Sequence, residues 1–302
     1  MITFLRNLKI AINKIAHQTP PTEQNLLILG KLAVDSVKAK KTISSLSEVE
    51  FKVFSQFGDD GIIQWLIHNL DIPNKTFVEF GVENYRESNT RFLLMNNNWS
   101  GFVMDASEQC VAQIVNSEYY WRHQLTAKAA FVDEENVNSL VASSGFEPEL
   151  GLLHIDIDGN DYWIWKKLNT VSPALLILEY NSVFGIERSI TVPYDRAFCR
   201  NKAHYSNLYV GASLRAFYEL SAERGYAFIG CNSAGNNAYF VRRDKLNDRV
   251  REVTLNEGYV ESKFRESRDE KGRLTFLSGS DRLGAIRGLP VFNTHTGEIE
   301  KL

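Results

Sequence analysis

Residues 152–161 read LLHIDIDGND, an apolar run that becomes acidic at its end. His154, Asp156 and Asp158 alternate along it, so an extended backbone places these three side chains on one face. Gly159 follows and favours a sharp turn. Open α/β sheets bind their ligands outside the carboxyl ends of the strands. The stretch therefore predicts a strand whose carboxyl end carries the functional site.

Four further β-rich runs precede or follow this stretch, and helical patterns separate them. The runs are residues 76–80, 101–104, 127–132 and 174–178. Such alternation favours a parallel sheet with right-handed crossovers. A helical pattern over residues 211–224 then leads into two strands, 226–231 and 237–242, joined by a Gly/Asn-rich link that is typical of a hairpin. The sequence predicts an α/β protein with a Rossmann-like, doubly wound, mostly parallel sheet and a C-terminal antiparallel hairpin.

Length and composition fit one large domain with extensions. The 302 residues are 44% apolar and 24% charged, which is ordinary for a globular chain. We assign residues 1–48 to an N-terminal helical extension, 49–247 to the Rossmann-like domain, and 248–302 to a charged, turn-rich tail that packs on the domain. The net charge of −3 disfavours nucleic acid as a partner, since binders of nucleic acid usually carry a basic excess.

The cysteines Cys110, Cys199 and Cys231 are far apart in sequence, which disfavours a disulfide framework or a structural zinc site. This pattern indicates a reducing, cytoplasmic compartment. No apolar run approaches the roughly 18 residues that a membrane span requires.

Residues 1–17 predict an amphipathic helix with a basic, acid-free polar face. Its apolar residues are Phe4, Leu5, Leu8, Ile12 and Ile15, and its basic residues are Arg6, Lys9 and Lys14. A signal peptide is disfavoured because no continuous apolar segment and no small-residue cleavage site are present. The favoured interpretation is a helix packed on the domain or on a second subunit of a homo-oligomer. The alternative is peripheral contact with the inner face of a membrane.

The first three strands also end in polar residues. Glu79 and Gly81 close the first, where glycine permits a close backbone approach to a ligand. The loop lacks Gly-x-Gly-x-x-Gly, and acidic Glu79 and Glu83 would repel a pyrophosphate, which favours a cofactor without phosphates. Asp105 ends the second strand, where a carboxylate can accept hydrogen bonds from ribose hydroxyls. Asp133 follows the third and would bind an adenine amino group, or cap the next helix.

Asp156 and Asp158 would orient or deprotonate an acceptor hydroxyl. A divalent metal site formed by these two with Glu179 and Asn181 is an alternative that is not favoured. An EF-hand is excluded because its twelfth position, counted from Asp156, is Lys167 instead of glutamate. The charged cluster at residues 265–268 either binds an anionic acceptor or is a solvated surface segment.

These residues resemble class I S-adenosylmethionine-dependent methyltransferases, and within them the FkbM-like group. That group carries a basic-x-Asp-x-acidic-Gly motif on the fourth strand, matched here by His154, Asp156, Asp158 and Gly159, with histidine where lysine is common. The resemblance covers about residues 50–245, and the hairpin is similar to the antiparallel last strands of that fold. The first-strand loop departs from the family because it contains fewer glycines.

The resemblance implies an O-methyltransferase that uses S-adenosylmethionine and acts on a sugar hydroxyl of a surface glycan or its precursor. The implied cofactor-binding residues are Glu79, Gly81, Asp105 and Asp133, and the implied catalytic residues are Asp156, Asp158 and His154. Two alternatives remain: a non-catalytic binding or scaffold protein of the same fold in a glycan-assembly system, and a metal-dependent enzyme that uses the strand-tip carboxylates.

Overall fold

The computed structural model describes residues 23–302, so the predicted helix over residues 1–17 lies outside the described residues. The helices are α1 (Glu23–Lys38), α2 (Asp59–Asn69), α3 (Arg91–Asn97), α4 (Glu108–Val115), α5 (Glu118–Arg122), α6 (Val137–Ala142), α7 (Asp161–Lys167), α8 (Arg200–Ala203), α9 (Leu214–Glu223), α10 (Leu255–Gly258) and α11 (Ser280–Ile286). The strands are β1 (Thr76–Phe80), β2 (Ser100–Asp105), β3 (Leu125–Ala129), β4 (Leu152–Ile155), β5 (Leu175–Glu179), β6 (Ile190–Thr191), β7 (Tyr226–Cys231), β8 (Asn237–Arg242), β9 (Pro290–Asn293) and β10 (Glu298–Lys301). Short 3-10 helices cover Leu46–Val49, Ser182–Phe184 and Arg243–Lys245.

The main sheet has seven strands in the order β3-β2-β1-β4-β5-β8-β7. The first five are parallel, and β8 runs antiparallel to both β5 and β7. This confirms the predicted fold class, including the hairpin at the end. The central strands are apolar nearly throughout because helices cover both faces of a parallel sheet.

The two faces of the sheet build two separate cores. Along β1, Val78 and Phe80 point into one core and Phe77 into the other, as the alternation of a strand requires. Trp165 of α7 fills the first core and Trp65 of α2 the second, and both indole rings are buried. The strands are thereby held rigidly enough for their carboxyl ends to form a fixed edge.

A smaller, three-stranded sheet in the order β10-β9-β6 uses the C-terminal segment. Ile286 and Val291 from that segment bury against Ile190 and Val192 of the domain. The sequence predicts a turn-rich tail over residues 248–302, whereas the structure has helices and strands there. The two strands of this segment, β9 and β10, are short and largely exposed, so an alternating pattern hardly develops.

The helix α1 packs against the domain through Val34 and Val37, while Ile28, Leu29 and Leu32 lie exposed on its outer side. None of the helices in residues 23–302 is long and apolar enough to cross a membrane.

Candidate active site

A cavity of about 940 Å³ lies at the carboxyl ends of β1, β2 and β4. This is the point where the chain leaves the central strand β1 for neighbours on opposite sides, and open α/β sheets place their ligands there. Seven of the residues singled out from the sequence line the cavity: Glu79, Gly81, Asp105, His154, Asp156, Asp158 and Glu179. The lining does not include Asp133 and Asn181.

Gly81 is required where β1 turns into the cavity. Its φ of 74° lies in the left-handed region, and a Cβ atom there would lie 1.6 Å from the carbonyl oxygen of Asp156. A side chain would overlap the neighbouring backbone, so glycine lets β1 and β4 approach each other at the site.

Asp105 ends β2 with its carboxylate held by the backbone. Oδ2 accepts a hydrogen bond from the amide of Glu83 at 2.7 Å, and Oδ1 accepts one from Ser107 at 2.8 Å. A carboxylate offers about four acceptor positions, so each oxygen keeps one for a ligand. The chain thus presents two pre-oriented acceptors at the second strand tip.

Apolar residues form the wall beside Asp105. Met104 ends the buried part of β2, and Phe131 and Val132 follow the end of β3. The sequence predicted strand up to residue 132, but β3 ends at Ala129 and the chain then turns along the cavity. Phe131 is 50% exposed, so its ring is not sealed inside the protein core.

Glu79 and His154 form a buried pair, here called the floor pair. Glu79 accepts hydrogen bonds from the hydroxyls of Ser88 and Thr90, from the amides of Asn89 and Thr90, and from His154 Nδ1 at 2.9 Å. Burial opposes its ionisation, but the bonds from His154, Ser88 and Thr90 hold the pKa of Glu79 below its usual value.

His154 Nε2 lies 3.3 Å from Asn89 Nδ2, so both ring nitrogens have partners. His154 therefore has no ring nitrogen free for a ligand, and both oxygens of Glu79 already accept hydrogen bonds from protein donors. Both residues still line the cavity, so the catalytic role of His154 and the cofactor-binding role of Glu79 stay predictions, and the bonds within the protein are what the structure shows.

Asp133 serves the protein itself. Its Oδ1 accepts hydrogen bonds from the amides of Glu135 and Asn136, and its Oδ2 lies 2.9 Å from the guanidinium of Arg196. The carboxylate is buried and lies outside the cavity lining. The capping role left open in the sequence analysis accounts for it, and the adenine contact does not.

Asp156 and Glu179 form the second acidic pair, here called the rim pair. The two carboxyl groups share a hydrogen bond, and neither accepts a bond from a backbone amide of the described chain. Burial, with the nearby charges of Glu179 and Asp158, raises the pKa of Asp156 well above its usual value. Burial, together with Asp158 and Asp161, raises the pKa of Glu179 to about 7. One proton is therefore shared by this pair near neutral pH.

Asp158 is the exposed member of the acidic group, and its side chain pairs with Arg200 of α8 at 2.8 Å. Phe198 and Cys199 precede Arg200 and also line the cavity. Phe198 packs so tightly on Gly159 that a Cβ atom on this glycine would lie 2.2 Å from the ring. This wall is not predictable from the sequence, because nothing in the local sequence connects Arg200 with the tip of β4.

Asn181 is fully used by the protein. Its Oδ1 accepts from the amide of Val183, and its Nδ2 donates to the carbonyls of Leu208 and Val210. Among residues 23–302, a compact group of donors remains at Asp156, Asp158 and Glu179, whose ligand oxygens lie within 4.8 Å of one another.

No protein-family model and no curated protein matches the chain. Among solved structures, an O-methyltransferase from Bacillus cereus in complex with SAH is 14% identical with a TM-score of 0.38, over 76% of this chain and 95% of that one. The N-terminal domain of EvdMO1 in the presence of SAH and D-fucose is 10% identical with a TM-score of 0.39, over 74% and 96%. An S-adenosylmethionine-dependent methyltransferase from Clostridium acetobutylicum is 10% identical with a TM-score of 0.37, over 61% and 89%. These values describe distant likenesses.

Proposed function

We propose that the protein is an S-adenosylmethionine-dependent O-methyltransferase whose acceptor is a sugar hydroxyl of a surface glycan or its precursor. The observation that carries this proposal is the arrangement of one cavity: the backbone-held carboxylate of Asp105 lies on one side and the proton-sharing rim pair on the other. The first suits a nucleoside ribose, and the second suits removal of a hydroxyl proton.

The charge of the cavity supports this cofactor class. Exposed Glu83 lines it together with Asp105, and Glu87, which pairs with Lys52, also contributes to the lining. Clustered carboxylates repel a polyphosphate and attract a cation, and the sulfonium of S-adenosylmethionine is a cation. Phe131 and Val132 offer an apolar surface for the adenine ring beside Asp105.

The rim pair supplies the acceptor chemistry. A carboxylate of Asp156 or Glu179 takes the proton of the acceptor hydroxyl while the oxygen attacks the methyl carbon. The new C–O bond forms as the C–S bond breaks. The electron pair of the C–S bond stays on sulfur, which becomes a neutral thioether. In-line placement supplies much of the rate of such a transfer. Exposed Asp158, fixed by Arg200, borders the same space.

Cofactor binding is tested with S-adenosylhomocysteine, which lacks the reactive methyl group. We expect it to raise the melting temperature, because a ligand at one hundred times its Kd stabilises the folded state by about 2.7 kcal/mol. Asp105→Ala should weaken its affinity about tenfold to one hundredfold because two hydrogen bonds to a charged acceptor are lost. Calorimetric titration measures this loss.

Asp71→Ala is the matched control, since Asp71 is exposed and does not line the cavity; the affinity of this variant should equal that of the wild type. Unchanged affinity in Asp105→Ala would contradict the ribose assignment. If neither S-adenosylmethionine nor its product shifts the melting temperature of the wild type, the scaffold alternative is favoured.

A metal-dependent form of the same reaction is a second candidate, because the oxygens of Asp156, Asp158 and Glu179 lie close enough to hold one ion. Carboxylate oxygens suit magnesium, manganese or calcium. Such an ion would polarise the acceptor hydroxyl. This candidate predicts that a chelator abolishes methyl transfer and that magnesium or manganese restores it. Full activity in excess chelator would exclude it.

A further inference from the structure

A second cavity, of about 280 Å³, adjoins the first. The two share the lining residues Gln56, Glu179 and Arg200. A molecule whose hydroxyl reaches the rim pair would therefore extend directly into the second cavity. The side chains that line the second cavity therefore indicate which class of acceptor can bind there.

Arg282 of α11 lines the second cavity and is only 6% exposed. Its Nη1 donates to the hydroxyl of Ser262 at 2.6 Å and to the carbonyl of the same residue at 3.4 Å. Its Nε is buried without a hydrogen-bond partner. The guanidinium forms no ion pair with a carboxylate in the described part of the chain. A buried charge without a counter-charge is costly.

The other charged groups around this cavity are already balanced. Arg200 pairs with Asp158 at 2.8 Å, and Glu266 pairs with Arg268 at 3.1 Å. Glu266 and Arg268 belong to the charged cluster at residues 265–268, which the sequence left open as an anion site. Within that cluster the charges of these two side chains cancel each other.

Two further carboxyl groups act on the cavity without neutralising Arg282. The rim pair, with one shared proton, still carries a negative charge where the two cavities meet, but Glu179 forms no ion pair with Arg282 within residues 23–302. Burial lowers the pKa of Arg282, Glu261 partly opposes this, and the nearby charge of Arg200 adds to it. Glu261 is exposed and forms no ion pair with Arg282 within residues 23–302. Arg282 thus has no carboxylate partner of its own within residues 23–302, and its Nε keeps a free donor.

An aromatic pair lies in the same cavity. The rings of Phe57 and Phe264 stack with centroids 5.8 Å apart and planes 16° apart. Such a surface suits the apolar face of a sugar ring. The cavity therefore combines an apolar wall with a buried, unpaired guanidinium.

We infer that the second cavity binds an anionic group of the acceptor, a phosphate or a carboxylate carried by a sugar, through Arg282. The inference rests on the proposed function and deepens it, since it restricts the acceptor to anionic sugars. A guanidinium pairs with carboxylate and phosphate through parallel N–H donors, which gives both strength and direction. Binding the anion would supply the counter-charge that Arg282 lacks.

The test uses the full chain saturated with S-adenosylhomocysteine, titrated by calorimetry at constant ionic strength. The probes are inorganic phosphate, glucose 1-phosphate, glucuronic acid and neutral glucose. We expect at least one of the two anionic sugars to bind at least about tenfold more tightly than glucose, and the stronger of the two identifies phosphate or carboxylate as the preferred anion. Equal binding of glucose and both anionic sugars would overturn the inference, and this comparison needs no variant.

Arg282→Gln should remove the preference for the anionic sugars, and Arg287→Gln should keep it. Arg287 follows the same helix, is exposed, and has no side-chain partner in the described part of the chain. A preference that persists in folded Arg282→Gln protein would overturn the assignment of Arg282.

The two proposals fail separately. Binding of S-adenosylhomocysteine without any anion preference leaves the proposed function in place and overturns this inference. An Arg282-dependent anion preference in protein that binds neither S-adenosylmethionine nor its product leaves the anion site in place and overturns the proposed function.

Discussion

The floor pair is buried and the rim pair half-buried at one edge of one sheet, and their surroundings are opposite. Glu79 of the floor pair accepts five hydrogen bonds from protein donors, and its pKa lies below the usual value. Glu179 of the rim pair has only another carboxyl group as its partner among the described residues, and its pKa is about 7.

The difference teaches how to separate a structural carboxylate from a reactive one. Donors around Glu79 stabilise its ionised form, so removing the carboxylate leaves several buried donors unpaired. The rim pair lacks such donors, so its ionisation is unfavourable and a proton stays available near neutral pH. Both pairs lie at strand tips, and they differ in the number of hydrogen-bond donors that surround their carboxyl groups.

Replacing Glu79 should give the largest effect. Glu79→Ala leaves His154, Ser88 and Thr90 without their acceptor, and we expect it to lower the free energy of unfolding by about 3–5 kcal/mol. Urea denaturation at pH 7.5 measures the change. Glu187→Ala is a control at an exposed position and should stay within about 0.5 kcal/mol of the wild type. A loss below about 1 kcal/mol in Glu79→Ala would remove the structural half of the comparison.

A third acidic group extends the comparison away from the cavity. Asp60 accepts hydrogen bonds from the amides of Val53, Phe54 and Ser55. Its neighbour Asp59 accepts bonds from Asn232, Asn237 and Tyr239. The donors of Asp59 connect the start of α2 with the β7–β8 hairpin. Asp60 differs from Glu79, because its Oδ1 is buried without a partner and burial raises its pKa to about 6 in spite of the bonds to Oδ2.

The sequence was sufficient for the sheet and for the edge at which most of the candidate residues meet, since both follow from local patterns. Buried strands are recognisable in the sequence as apolar runs such as that of β4. The residues that follow the parallel strands must all lie at the same edge of the sheet. The donors of Glu79, the partner of Asp133 and the approach of Arg282 depend on contacts between distant segments. No spacing in a single sequence encodes those contacts, and they decide which carboxylates are structural.

For the rim pair we expect removal of a carboxylate to raise the stability of the protein, by a smaller amount than the loss expected for Glu79→Ala. The folded pKa of Glu179, about 7, exceeds its ordinary value of 4.5, so between these pH values the folded chain binds more protons than the unfolded chain. This group therefore makes stability fall as pH rises through that window. Glu179→Gln removes the ionisable group, and we expect it to exceed the wild type in stability by about 1–2 kcal/mol at pH 8 and to match it below pH 4.5.

Urea unfolding at several pH values measures this difference, with Glu187→Gln as the matched control at an exposed glutamate. A variant that is less stable than the wild type at pH 8 would mean that ionised Glu179 is stabilised as Glu79 is. The two pairs would then differ only in position, and the assignment of proton transfer to the rim pair would lose its physical basis. A gain at pH 8 that disappears in acid requires the carboxylate to be held ionised at a cost, as a base poised near neutral pH must be.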